Sequence, residues 1–179
     1  RVRSMTGMTG AEAARRLLNA QGIYDVTVQQ IAGELTDHYD PRTKTVNLSQ
    51  SVYGATSVAA IGVAAHECGH AMQDNEGYAP LRFRSALVPV ANFGSSLSWP
   101  LILLGLVFGG LGSPLVEIGI LMFSLAVLFQ LVTLPVEYNA SARAVRLLDA
   151  QGILAGEEVN GTRKVLNAAA LTYVAAAAT

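Results

Sequence analysis

LVPVANFGSSLSWPLILLGLVFGGLG (residues 87–112) and PLVEIGILMFSLAVLFQLVTLPV (residues 114–136) lie almost end to end in this chain. The first carries no Asp, Glu, Lys or Arg, and the second carries one, Glu117. A helix rises about 1.5 Å per residue, and the hydrocarbon core of a bilayer is about 30 Å thick, so each run is long enough to cross. The junction Leu111-Gly112-Ser113-Pro114 reads as a tight turn, which makes the pair a helical hairpin. The competing reading is two core helices buried in a soluble protein. Length and the near absence of charge favour the membrane.

Composition agrees. Of 179 residues, 51% are hydrophobic and 14% charged, against about 25% charged in ordinary soluble domains. A net charge of −1 supplies no field to recruit nucleic acid. The single cysteine, Cys68, excludes an internal disulfide. The length fits a single domain, residues 1–179, with the hairpin inserted in it.

Upstream of the hairpin the pattern is that of a water-exposed part. Residues 9–21 form a helix, with Thr9 and Glu12 as a capping box and Gly22 just past its end. Residues 24–33 read as a strand. Residues 35–48, turning at Asp40-Pro41, read as a β-hairpin. Residues 56–73 are alanine-rich and read as a helix. Downstream, residues 137–151 read as a separate helix ended by Gly152. The segments 14–23 (ARRLLNAQGI) and 144–153 (AVRLLDAQGI) use one helix-ending grammar twice without being a repeat. Residues 165–179 read as the start of a further membrane helix.

The helix at 56–73 contains AAHECGH, residues 64–70, which holds two of the three histidines. His66 and His70 are four apart, so both imidazoles stand on one helix face and can reach one ion. Glu67 is turned about 100° from His66, near enough to hold a water on that ion. This is the H-E-x-x-H arrangement of zinc hydrolases. The metal acidifies its water and polarises the scissile carbonyl, while Glu67 takes the proton and passes it to the leaving amine. The bland reading is a pair of satisfied histidines on a helix. Gly69 fits a site helix that another backbone must approach closely. Cys68, about 200° from His66, should face the core.

A catalytic zinc keeps three protein ligands and an open position. Since no histidine follows His70, the third ligand is His38 or a carboxylate. The downstream carboxylates are Asp74, Glu76, Glu117, Glu137, Asp149, Glu157 and Glu158. Asp74 and Glu76 are too close along the chain to fold back, and Glu117 lies toward the far end of the hairpin. A two-span hairpin returns the chain to the side it left, which brings Glu137 back to the histidines. Glu137 is therefore the expected third ligand, an interfacial carboxylate being its alternative role. Asn139, Ser141 and Arg143 follow on the same helix as candidates to orient the ligands, Ser141 being on the face of Glu137. Arg143 pairs with a carboxylate, steadies an oxyanion, or is a membrane-surface arginine. His38 is an ordinary hairpin residue or, with Tyr39, a group touching the reacting carbonyl.

AAHECGHAMQ (64–73), LTDHYDPRTKTVNLS (35–49) and VTLPVEYNASARA (132–144) together resemble the neutral zinc metallopeptidases of the YugP type, bacterial membrane proteins. The likeness extends over nearly the whole chain. It implies a Zn2+-dependent membrane protease with His66, Glu67, His70 and Glu137 in the roles above. The fold it implies is mostly α, with a zincin-like, gluzincin-type catalytic part, a small β-hairpin or sheet and a two-helix transmembrane hairpin. EYNASARA also looks like the third-ligand helix of HtpX-like proteases, where an aspartate usually stands at the position of Ser141.

Arg82 and Arg84 precede the first span, Arg143 and Arg146 follow the second, and the turn between has no Lys or Arg. The positive-inside rule then gives a multi-pass cytoplasmic-membrane protein with its site facing the cytoplasm. Its partners are the lipid bilayer and a polypeptide substrate, membrane proteins included. Two other readings stand: an intramembrane protease with zinc inside the bilayer, and an inactive scaffold with a structural zinc.

Overall fold

Six helices and three strands make up the computed structural model, which describes residues 7–34, 36–154 and 156–178; the side chains of residues 95 and 170–178 lie outside that description. The order is α1 (Gly10–Ala20), β1 (Thr27–Ile31), β2 (His38–Asp40), β3 (Thr45–Ser49), α2 (Gln50–Tyr53), α3 (Val58–Asn75), α4 (Ala79–Phe108), α5 (Pro114–Ala150) and α6 (Glu157–Ala178). The chain divides into two compact units, Arg1–Tyr78 with Glu137–Leu171 and Ala79–Val136 with Thr172–Thr179.

In the first unit, α1 starts where its capping pair requires. The Thr9 hydroxyl accepts from the Glu12 N–H and donates to the Glu12 carboxylate, each at 3.1 Å. Its end and the end of α5 are built alike. The N–H of Gly22 donates to Asn19 O at 3.0 Å and that of Ile23 to Leu18 O at 2.9 Å; Gly152 and Ile153 repeat this on Asp149 O and Leu148 O at 3.1 and 3.0 Å. Both glycines take positive φ, 71° and 67°, the left-handed step that closes such an ending. Ile23 and Ile153 are then delivered into the core.

The sheet has the order β1-β3-β2. β2 and β3 pair antiparallel, His38 opposite Asn47, as the expected hairpin. β1 runs parallel to β3, which makes β3 the central strand. That position explains why every residue of β3 is buried, its polar Thr45, Asn47 and Ser49 included. The Asp37 carboxylate accepts from the N–H and the hydroxyl of Ser49, at 2.8 and 3.0 Å, so these polar groups are paired. The side chain of α3 residue Cys68 is fully buried and its thiol faces Ala14 O at 3.5 Å.

The second unit holds α4 and the first part of α5. These two helices are long and apolar enough to cross a bilayer, and only 24% and 11% of their most apolar windows are buried. A soluble core helix would be mostly covered. Phe93, Trp99, Leu103, Val107 and Leu121 are among the large apolar side chains left exposed. The two helices approach closely through glycine: a Cβ on Gly94 would stand 2.5 Å from Met122 O, and one on Gly119 2.8 Å from Ser98 O.

Two boundaries of the apolar helices differ from expectation. The first apolar helix begins at Ala79 and not at 87, so Arg82 and Arg84 lie inside it, and it ends at Phe108, leaving 109–113 as the turn. No break separates the second apolar run from the helix expected at 137–151, and α5 is one rod of 37 residues. Pro135 inside it removes one N–H from the ladder, which costs a hydrogen bond but leaves the flanking turns intact.

Candidate metal centre

α3 grows from Ser57, whose hydroxyl accepts from the Ala60 N–H at 3.1 Å. It is buried on most sides, from Val58 to Gln73, so side-chain positions along it are fixed by packing. His66 and His70 stand one turn apart with ring centroids 4.8 Å apart and planes at 86°. The last part of α5 lies against this helix at its narrowest point, Gly69, where a Cβ would press on the backbone of Ala140. Ala140 is flanked by Asn139 and Ser141, so this close contact sets the residues of α5 facing the histidines.

Glu137 meets both rings. Its Oε2 is 2.6 Å from His66 Nε2 and its Oε1 is 3.2 Å from His70 Nε2. Burial would raise the Glu137 carboxyl, but the hydrogen bonds with His66 and His70 outweigh it and hold the group well below the ordinary carboxylate range. The other ring nitrogens are occupied. His66 Nδ1 is 2.9 Å from the Ser141 hydroxyl and His70 Nδ1 is 2.9 Å from Gln73 Oε1. Glu67 is 6% exposed. Its carboxylate lies with the His66 and His70 nitrogens in one group whose ligand atoms are all within 4.8 Å of one another. Burial pushes its carboxyl above the ordinary range, and the charges of His70 and His66 pull the other way.

A relay holds Nδ1 of His70 as a donor. Arg143 can only donate, and its Nε reaches Asn139 Oδ1 at 2.7 Å. The same oxygen accepts from Gln73 Nε2 at 3.0 Å. That orients the Gln73 amide, so its Oε1 accepts from His70 Nδ1–H, and the proton on His70 Nε2, directed at Glu137, is the one an ion would displace. Arg143 is itself held by Glu76 and lies over the Tyr78 ring, 5.4 Å from its centroid. Gln73 escaped the reading of the sequence; its signal is its place three residues after His70, on the same helix face.

This donor set fits zinc. Two imidazole nitrogens and a carboxylate oxygen are its usual catalytic ligands, and tetrahedral bonds of about 2.0–2.2 Å put donors ~3.3 Å apart. The His70–Glu137 separation already has that value, and the His66–Glu137 pair needs to open by several tenths of an ångström. The backing of both Nδ1 atoms is what ligating histidines require.

The other residues weighed lie elsewhere. His38, on β2, is exposed, with Nδ1 2.8 Å from Thr36 O and Nε2 3.2 Å from Asn47. Tyr39 donates to Asp74 at 2.7 Å, which ties the edge strand to α3 one turn beyond His70. Glu76 is taken by Arg143, and Glu117 is exposed in the first turn of α5. Arg143 meets Asn139, Glu76 and the Tyr78 ring and, among the described contacts, not His66, His70 or Glu137.

A family model described as "Putative neutral zinc metallopeptidase" matches residues 1–179. The chain belongs to that family. It is also 51% identical over 177 residues to "Putative membrane protease YugP" of Bacillus subtilis (strain 168), covering 99% of this chain and 78% of that protein. No solved structure matches. His66, Glu67 and His70 could hold a metal ion, in keeping with the zinc of the family's description.

Proposed function

We propose that this protein is a membrane-anchored zinc endopeptidase of the gluzincin type, with its site at the cytoplasmic membrane surface. The observation that carries the reading is the convergence of Glu137 on the Nε2 atoms of His66 and His70, from a helix about 70 residues further along the chain. His66, His70 and Glu137 hold the zinc, which when bound supplies a Lewis acid for the scissile carbonyl and acidifies a water. Glu67 takes a proton from the attacking water and delivers it to the leaving amine. Its burial supports this role, because burial raises the carboxyl above the ordinary carboxylate range and so strengthens it as a base. Ser141 and the Gln73–Asn139–Arg143 relay hold the two rings with their Nε2 atoms forward. β2 is an edge of the sheet tied to the site helix, and an extended peptide would add to that edge as a further strand beside His38.

α4 and α5 form the transmembrane hairpin of this reading. Arg82 and Arg84 near the start of α4 and Arg143 and Arg146 near the end of α5 precede and follow the apolar stretches, which favours a cytoplasmic site. The scaffold alternative leaves a buried Glu67 beside two imidazoles without a use. Casein hydrolysis by the purified protein should disappear in Glu67→Gln while bound zinc stays at one per chain. Equal hydrolysis by both proteins would remove Glu67 from the mechanism.

A further inference from the structure

The two histidines are backed by groups of different kinds. The Ser141 hydroxyl, 2.9 Å from His66 Nδ1, accepts or donates after turning one bond. The Gln73 amide behind His70 has no such freedom. Its oxygen and its NH2 are nearly equal in size, so packing alone does not choose which of them faces the ring. The choice matters, because a histidine that gives Nε2 to a metal keeps its proton on Nδ1 and needs an acceptor there. Gln73 is fully buried, so solvent does not repair a wrong choice.

We infer that Arg143 is a positioning residue that makes this choice, acting on His70 through two amides. The inference rests on the zinc reading of the site and adds a residue to it. The guanidinium is fixed from three sides. Its Nη2 donates to Glu76, its face lies over the Tyr78 ring at 5.4 Å, and its Nε donates to Asn139 Oδ1 at 2.7 Å. Arginine has donors only, so Asn139 must present its oxygen. The same oxygen accepts from Gln73 Nε2 at 3.0 Å, which leaves Gln73 Oε1 facing His70 Nδ1 at 2.9 Å. The spacing suits both helices: Asn139 and Arg143 are four apart on α5, and His70, Gln73 and Glu76 follow in steps of three at the end of α3. An apolar side chain at position 143 would leave Asn139 free to turn its NH2 toward Gln73. The Gln73 amide would follow, and a donor would then face the Nδ1 proton that a metal-bound His70 carries. Charge alone predicts the opposite sign. A cation near the site repels zinc, so an arginine acting only through its field would weaken binding, and its loss would tighten it.

The test is zinc affinity of the full chain in neutral detergent, read by chelator competition without any substrate. Arg143→Met should bind zinc about three- to tenfold more weakly, a smaller loss than that of a group touching the histidine itself. Arg143→Lys, which also only donates, should recover most of that loss. In the Asn139→Asp background both oxygens accept, so Gln73 is oriented without help and Arg143→Met should no longer weaken zinc. Asn139→Leu leaves Arg143 with Glu76 and Tyr78 but cuts the path to Gln73. It should lose affinity to the same extent, and it carries the test if Arg143→Met does not fold. Unchanged or tighter binding in Arg143→Met overturns the inference, and so does normal binding in Asn139→Leu. An equal loss from Arg143→Met in the Asn139→Asp background also overturns it, because Arg143 would then be a strut between α3 and α5 and nothing more. The two levels fail differently. An unmodified protein that binds no zinc removes the zinc reading and the inference with it, whereas normal zinc in every variant removes the inference alone.

Discussion

Gly69→Ala would drive apart the two helices that bring the site together. The added Cβ would lie 3.0 Å from both the carbonyl carbon and the Cα of Ala140, and nearer still to its oxygen, whereas ordinary contact begins at 3.4 Å. Backbone cannot swing aside as a side-chain tip does, so α3 and α5 must part by roughly 0.5–1 Å. Overpacking of this kind costs ~1–3 kcal/mol, and the better helix propensity of alanine returns up to ~1. Net destabilisation should be ~1–2 kcal/mol. The same movement widens the 3.2 Å between His70 and Glu137 beyond the spacing zinc needs, and affinity should fall roughly tenfold or more. Gly161→Ala is the control: it is helical with no atom within 4 Å of the new methyl, and should stabilise by ~0.5–1 kcal/mol. Gly62→Ala should fall between, since it meets only the Thr162 methyl at 2.8 Å. Urea unfolding of the three variants, with zinc affinity by chelator competition, ranks them. If Gly69→Ala matches Gly161→Ala in both measurements, the helix contact does not set the geometry of the site and the reasoning fails.

Zinc content should drop sharply in Glu137→Ala and stay normal in Glu117→Ala, because the second carboxylate lies twenty residues, about 30 Å of helix, from the first; metal analysis that shows normal zinc in both rejects the ligand assignment. Ser141→Ala and Gln73→Leu should each weaken zinc binding about 10–100-fold by freeing an Nδ1, and chelator titration reads this without any substrate. The Glu76 carboxyl is held below its ordinary 4.5 by the hydrogen bond from Arg143. The stability it adds is therefore present above that pH and lost as pH falls through the lowered value. For so exposed a pair Glu76→Gln should cost only ~0.5 kcal/mol at pH 7, and the gap should close toward pH 3; a gap constant from pH 7 to 3 would mean the pair carries no charge-dependent stability.

Local signals were legible wherever one short stretch determines the geometry. Thr9 with Glu12, the Gly22 and Gly152 endings, the turn at Pro41 and the four-residue step from His66 to His70 all act within a few residues. Glu137 could be singled out because a hairpin constrains where the chain returns. What escaped depended on partners remote in sequence. Gln73 looks like any surface glutamine until Asn139 arrives opposite it, and Arg143 looks like a membrane-flanking cation until Glu76 and Asn139 hold it. The parallel pairing of β1 with β3 was hidden for the same reason, since a strand's period reveals its faces and not its neighbour. Pro135, of a residue type that usually ends helices, leaves α5 unbroken.

Cys68, the sole thiol of the chain, is sealed against Ala14, and its burial pushes its pKa upward, away from the reactive thiolate. Nature has thus supplied a silent background for reporter chemistry. A cysteine placed at the turn near Leu111, or at the exposed Tyr24, can be tagged by impermeant maleimide in intact cells without first deleting the native one, so the compartment that each position faces can be mapped with α3 untouched.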